Sequence, residues 1–150
     1  MILKLYVQGE AQPQGSKTCT CKNNVAVMYE ANPKTKPWRT ILSTQMAIAA
    51  ARNNLQPLDV PVRLDVVIQV ARPKAHFNSK GFVKPNAPVI PGTGYDTDKV
   101  LRCIYDAGTG IWWTDDRRIS CPMVRRRYAR VPGLWLMLDT DELEEWEGTG

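Results

Sequence analysis

Eleven residues, VRLDVVIQVAR at 62–72, stand between Pro61 and Pro73 and constrain this chain more than any other stretch. They are rich in β-branched residues and alternate in polarity, the pattern of a β-strand. A strand needs partners, and four further segments supply them. Residues 2–8 alternate, VAVMYE at 25–30 is short and β-branched, and residues near 118–128 and 133–138 repeat the strand pattern. Between them, WRTILSTQMAIAAARN (38–53) places Trp38, Ile41, Leu42, Met46, Ala49 and Ala50 at helical spacing, with Pro57 and Pro61 ending the run. A second helix is expected from about Thr97 to Ala107. The order strand, strand, helix, strand, helix, strand, strand predicts an α+β fold: a single domain with a mixed β-sheet and two main helices. Residues 9–24 read as a polar loop, and Pro33 and Pro37 as a turn.

At 150 residues the chain suits one core. Its hydrophobic content of 43% and charged content of 23% are those of an ordinary globular protein. No apolar run reaches membrane-spanning length, and the start, MILKLYVQGE, has no signal-peptide pattern. The expectation is a cytoplasmic protein with no membrane partner. Four cysteines agree with a reducing compartment: Cys19 and Cys21 form C-x-C, while Cys103 and Cys121 stand alone, without the paired C-x-x-C knuckles of a zinc ribbon. Cys103 is expected on the buried face of the second helix.

The net charge of +5 conceals an asymmetry. Six acids fall within residues 139–147, with no base among them; residues 1–138 carry 20 bases and nine acids. This divides the chain into a basic domain, 1–138, and an acidic tail, 139–150. A body so basic favours a polyanion, and nucleic acid is the usual one. Residues 73–95, with four prolines and three glycines, form a long loop of the kind that carries function. The loop holds Lys74, Lys80, Lys84 and the single histidine, His76, which lacks the partner in sequence that a catalytic base needs. With Lys17, Lys22, Lys99, Arg117, Arg118, Arg125, Arg126, Arg127 and Arg130, these lysines make a candidate phosphate-binding set.

Five of the fifteen acids gather in residues 94–116, GYDTDKVLRCIYDAGTGIWWTDD: Asp96, Asp98, Asp106, Asp115 and Asp116. On the second helix, Asp98, Arg102 and Asp106 lie four apart on one polar stripe, opposite Val100, Cys103 and Ile104. Acid before base at this spacing suits an ordinary salt-bridged surface. A metal site is the alternative, since carboxylates brought together need a cation. A strand returning past the helix start would set Asp116 beside Asp96 and Asp98, giving hard oxygen ligands for Mg²⁺ or Mn²⁺.

The pattern D-x-D, a base four residues on, an acid four later, then Trp and a closing D-D resembles the RusA-type Holliday junction resolvases, which are encoded by bacteria and their phages. VQGEAQPQGSK near the start, KPW before the first helix, RPKAHF after the central strand and RRRYARVPGLWLML after the acidic pair are similar too. The resemblance implies a homodimeric, Mg²⁺-dependent endonuclease, with Mn²⁺ as a substitute, that resolves four-way junctions or other branched DNA and leaves 5′-phosphate and 3′-hydroxyl ends. It implies metal ligands at Asp96, Asp98 and Asp116, a catalytic cation at Arg102, and supporting acids at Asp106 and Asp115. Trp112, Trp113 and Trp135 are candidate aromatic anchors of the dimer, or else core.

Three places depart from the family pattern, the first being Gly94-Tyr95 before Asp96, where Lys-Pro is common. Lys99 replaces an asparagine, and Arg102 replaces the essential lysine. Arginine holds phosphate bidentately but does not deprotonate, so it stabilises charge and does not act as a base. A DNA-binding protein of the same fold without cleavage is therefore a second reading. Another D-x-D metal enzyme, such as a nucleotide-sugar glycosyltransferase, is a third.

Overall fold

A computed structural model describes residues 2–15 and 17–140. In chain order the elements are β1 (Ile2–Gln8), β2 (Lys17–Lys22), β3 (Val25–Glu30), α1 (Thr35–Arg52), β4 (Val62–Ala71), α2 (Thr97–Gly108), β5 (Ile119–Ala129) and β6 (Gly133–Asp139). The architecture is α+β, with two helices and a mixed sheet. The chain divides into two compact units, one built from the segments up to Ala11, Val60–Gly94 and from Ile119 onward, the other from Gln12–Asp59 and Tyr95–Arg118.

The first unit is a four-stranded sheet in the order β1-β6-β4-β5. Only β4 and β5 run parallel; that pairing needs a long crossover, and the chain between them contains α2. Register sorts the side chains into two faces. Leu3, Leu138 and Leu64 form one row, and Val7, Leu134 and Ile68 another. All six are at most 5% exposed, so this face is the unit's core. The opposite face carries Tyr6, Trp135 and Val67 in register, with Tyr6 and Trp135 in ring contact at 4.9 Å. A side chain on Gly133 would collide with the Tyr6 ring, which explains the glycine.

The second unit joins the β2–β3 hairpin to α1 and α2. Trp38, Leu42, Met46, Ala49 and Ala50 form the buried stripe of α1, and Val100, Cys103, Ile104 and Ala107 that of α2. The two helices are in contact: Ser43 Oγ donates to Ala107 O at 3.1 Å. Trp112 and Trp113 are fully buried, and Trp112 Nε1 donates to Met46 O at 2.9 Å. These two tryptophans are core and cannot anchor a partner; Trp135 alone of the three candidates is exposed.

Two expectations change. The segment 9–24 is not all loop, because Lys17–Lys22 forms β2 against β3. Its signal was the alternation in KTCTCK followed by Asn23-Asn24, which both adopt positive φ (51° and 61°) and close a tight hairpin. No residue of β2 is buried, and KTCTCK has none of the aliphatic residues that mark β3. Helix α1 starts at Thr35, three residues before the apolar stripe, and so includes Pro37. Proline is tolerated there because first-turn amides have no helical acceptor.

Candidate active site

Helix α2 sets the geometry. Its N-terminal flank is Asp96, and Asp98 lies in the first turn, where the helix dipole favours negative groups. Asp98, Arg102 and Asp106 are all exposed while Cys103 and Ile104 are sealed, so the polar stripe faces water. Burial pushes the Cys103 thiol up to about 12, which makes it an inert core residue.

The stripe is not a salt-bridged surface. Among the described residues neither Asp98 nor Arg102 joins an ion pair, despite the favourable spacing. Asp106 is held instead by Gln14, whose Nε2 donates to Asp106 Oδ2. Arg39 Nη1 donates to Gln14 Oε1 at 2.7 Å and to Glu30 Oε1 at 2.5 Å. The Gln14 backbone amide donates to Lys99 O at 2.9 Å. Gln14 is nine-tenths buried, so its amide is satisfied on both ends, as a buried polar group must be. This chain from Glu30 through Arg39 and Gln14 to Asp106 ties the QPQG segment, residues 12–15, to α2. Sequence reasoning singled out that segment only as a motif and missed the hydrogen-bond chain behind it.

After α2 the chain turns through Gly110, whose φ of 79° suits glycine. The turn is pinned by Leu58 N donating to Trp112 O (3.0 Å) and Thr114 N donating to Leu58 O (2.9 Å). Asp115 accepts from both the guanidinium and the backbone amide of Arg117, which together hold its carboxyl down at about 2. Asp116 opens a single 3-10 turn, Asp116–Arg118, and so lies ahead of β5, which begins at Ile119, and not on the strand expected to carry it past the helix start. It is exposed, and its charge reaches α2: burial first, and then this charge, raise the Tyr105 hydroxyl above its ordinary value.

Asp96 faces Lys99, with Nζ 3.5 Å from Oδ2. Among the described residues no three His, Cys, Asp or Glu side chains converge into a group able to hold a metal ion. Asp96, Asp98 and Asp116 stand as separate exposed carboxylates. Their chemistry nevertheless fits a hard divalent cation, which takes carboxylate oxygens and keeps several waters.

The basic set is dispersed. Arg117 is engaged with Asp115, and Arg118 with Asp59 at 2.8 Å. Lys17 lines a cavity of about 300 Å³ with Met28, Tyr29, Glu30, Lys36 and Arg39. Lys74, Lys80 and Lys84 are exposed in the segment after β4. His76 is held by its neighbours: its ring packs edge-on against Tyr128 at 5.2 Å, and Arg72 Nη1 lies 3.4 Å from Nδ1. The arginine run on β5 is divided by the strand. Arg126 is in register with Ile68, while Arg125 and Arg127 face the other way, in register with Val67 and Gln69.

The family follows from comparison: the model of Endodeoxyribonuclease RusA matches residues 8–139, and the chain belongs to that family. It is thus an endodeoxyribonuclease, a hydrolase acting on DNA phosphodiester bonds, in a family that resolves Holliday junctions and depends on metal ions. No curated protein matches the sequence. Among the described residues no helix is long and apolar enough to cross a membrane. The acidic tail lies, from residue 141 on, outside the described residues; Asp139 ends β6, paired in register with Ile2 and Arg63.

Proposed function

We propose that residues 1–138 form a Mg²⁺-dependent nuclease that cuts four-way DNA junctions as a homodimer, leaving 5′-phosphate and 3′-hydroxyl ends. One observation carries this reading. Asp98 and Arg102, four residues apart on α2, are exposed and join no ion pair among the described residues, while the third member of the stripe is fixed by Gln14. Left unpaired, the carboxylate and the guanidinium are both available, the one to a cation and the other to a phosphate.

Asp96, Asp98 and Asp116, which do not converge in the structure, would have to close on the ion to hold it; when bound, it neutralises phosphate charge and acidifies a water. The protein's own part is positional. Arg102 presents a planar fork of donors to the phosphoryl oxygens and offsets the charge that builds there. It stays protonated and takes no proton. Gln14 keeps Asp106 from folding onto Arg102, so the guanidinium remains available. Two copies would place two such sites on a two-fold substrate, allowing paired cuts.

A second reading, DNA binding without cleavage, has one observation in its favour: Lys99 lies against Asp96 and competes with a metal for that carboxylate. A labelled four-way junction incubated with the protein in Mg²⁺, and again in chelator, separates the two. Paired nicks that need Mg²⁺ and can be religated support the nuclease. A shifted but uncut junction at every metal concentration supports the binding protein.

A further inference from the structure

The segment after β4 is irregular yet closely tied together. Asn78 Oδ1 accepts from the backbone amides of Lys80 and Phe82, both at 3.0 Å. Asn78 N donates to Phe82 O at 2.8 Å, and Lys84 N to His76 O at 2.8 Å. Phe77 and Val83 form an antiparallel bridge, and Gly81 supplies the positive φ of 81° that closes the turn. The base of the loop is fastened to β5. The Arg72 guanidinium stacks over the Tyr128 ring at 4.7 Å and donates to Pro88 O at 2.8 Å.

This small, well-bonded turn uses Phe77 in its bridge but leaves Phe82 out. Phe82 is 68% exposed. An exposed phenylalanine on a frayed loop would be unremarkable, but here both amide and carbonyl of Phe82 are bonded to Asn78, so the ring is held outward. A partner is therefore expected, and charge chooses it. Residues 66–95 contain Arg72, Lys74, Lys80 and Lys84 and no acid at all. An aromatic ring flanked by cations is the arrangement that stacks bases while gripping phosphates.

We propose that Phe82 is a stacking wedge for unpaired or unstacked bases at the branch of the DNA, with Lys80 and Lys84 on the flanking phosphates; this rests on the reading that the chain handles branched DNA. A duplex has its bases stacked inside and offers the ring little. A branch point exposes base faces, so the wedge contributes discrimination and the lysines contribute general affinity.

The test uses the full chain without divalent metal, so that nothing is cut. Binding of a four-way junction and of a linear duplex is followed by fluorescence anisotropy for the wild type, Phe82→Ala and Phe82→Trp. One stacked base implies about a tenfold loss of junction affinity in Phe82→Ala, with duplex affinity and salt slope unchanged and with recovery in Phe82→Trp. Placing 2-aminopurine at the branch should give a fluorescence change with wild type that Phe82→Ala lacks. If the wild type prefers the junction and Phe82→Ala keeps that preference, the wedge is wrong and the branched-DNA reading stands. If the wild type shows no preference, the branched-DNA reading falls and the wedge with it. A drop in mass by light scattering for Phe82→Ala would assign the ring to a contact between copies and overturn the proposal.

Discussion

Helix α2 and strand β5 both carry charge runs, and they treat them in opposite ways. In α2 Asp98, Arg102 and Asp106 are scattered in sequence, yet the helical period brings them to one exposed face. In β5 three arginines are adjacent, yet the two-residue period sends Arg126 to one face and Arg125 and Arg127 to the other. Arg126 donates to Thr93 O at 3.1 Å, while its neighbours remain exposed. Proximity in sequence is thus a poor guide to a charge cluster, and period is a good one. Strand β5 is also an edge strand, where charge discourages pairing with another chain.

The largest effect should come from the helix. Asp98→Asn keeps the shape and removes one carboxylate, so junction cleavage should fall by about 10²–10³-fold while thermal stability holds. Asp106→Asn should cost less, since Gln14 can bond an amide as well. Equal losses from the two substitutions, measured as single-turnover rates, would mean that the stripe acts as an undifferentiated charge patch.

A smaller effect should separate the strand faces. Replacing Arg125 and Arg127 together by Ala should reduce the slope of log affinity against log salt by about two, one for each phosphate no longer neutralised. Arg126→Ala should leave the slope nearly as it was. A slope that depends only on the number of arginines removed, whichever they are, would erase the distinction between faces.

The smallest concerns Asp115. Its carboxyl sits at about 2 because Arg117 donates to it. A depressed folded-state value stabilises the fold above the ordinary carboxylate range, and that contribution fades as pH falls from about 4 toward 2. Arg117→Ala should return the Asp115 carboxyl toward 3.8 in an NMR titration, with little change in melting temperature, because the pair is exposed. An unmoved titration would mean that the backbone amide of Arg117, and not its guanidinium, holds the carboxylate.

The same contrast explains what could be read from the sequence. Elements with an apolar or β-branched pattern were readable: β1, β3, β4, β5, β6, α1 and α2 all fall within a few residues of expectation. Strand β2 is lysine, threonine and cysteine throughout, without the aliphatic residues that marked β3, in which no residue is buried either. Trp112 and Trp113 were open between interface and core, because aromatic composition alone does not separate the two; their bonds to Met46 and Leu58 place them inside. At the site, the Asp98, Arg102 and Asp106 stripe followed from helical period. The Glu30, Arg39, Gln14 and Asp106 chain did not, because its members are up to 92 residues apart and meet only through tertiary structure. The place of Asp116 depended on a turn of 3-10 geometry, which has no sequence period of its own.

The central claim is that exposed carboxylates around the start of α2 and at Asp116 serve metal-dependent cutting and not solubility. Asp116→Asn tests it most directly, with cleavage and binding measured on the same junction. Cleavage in Mg²⁺ should be lost and melting temperature unchanged. Junction affinity without metal should be equal or tighter, since a repulsive charge near phosphate is gone. Cleavage by Asp116→Asn at the wild-type rate would contradict the claim and leave the acidic cluster as a solvated turn.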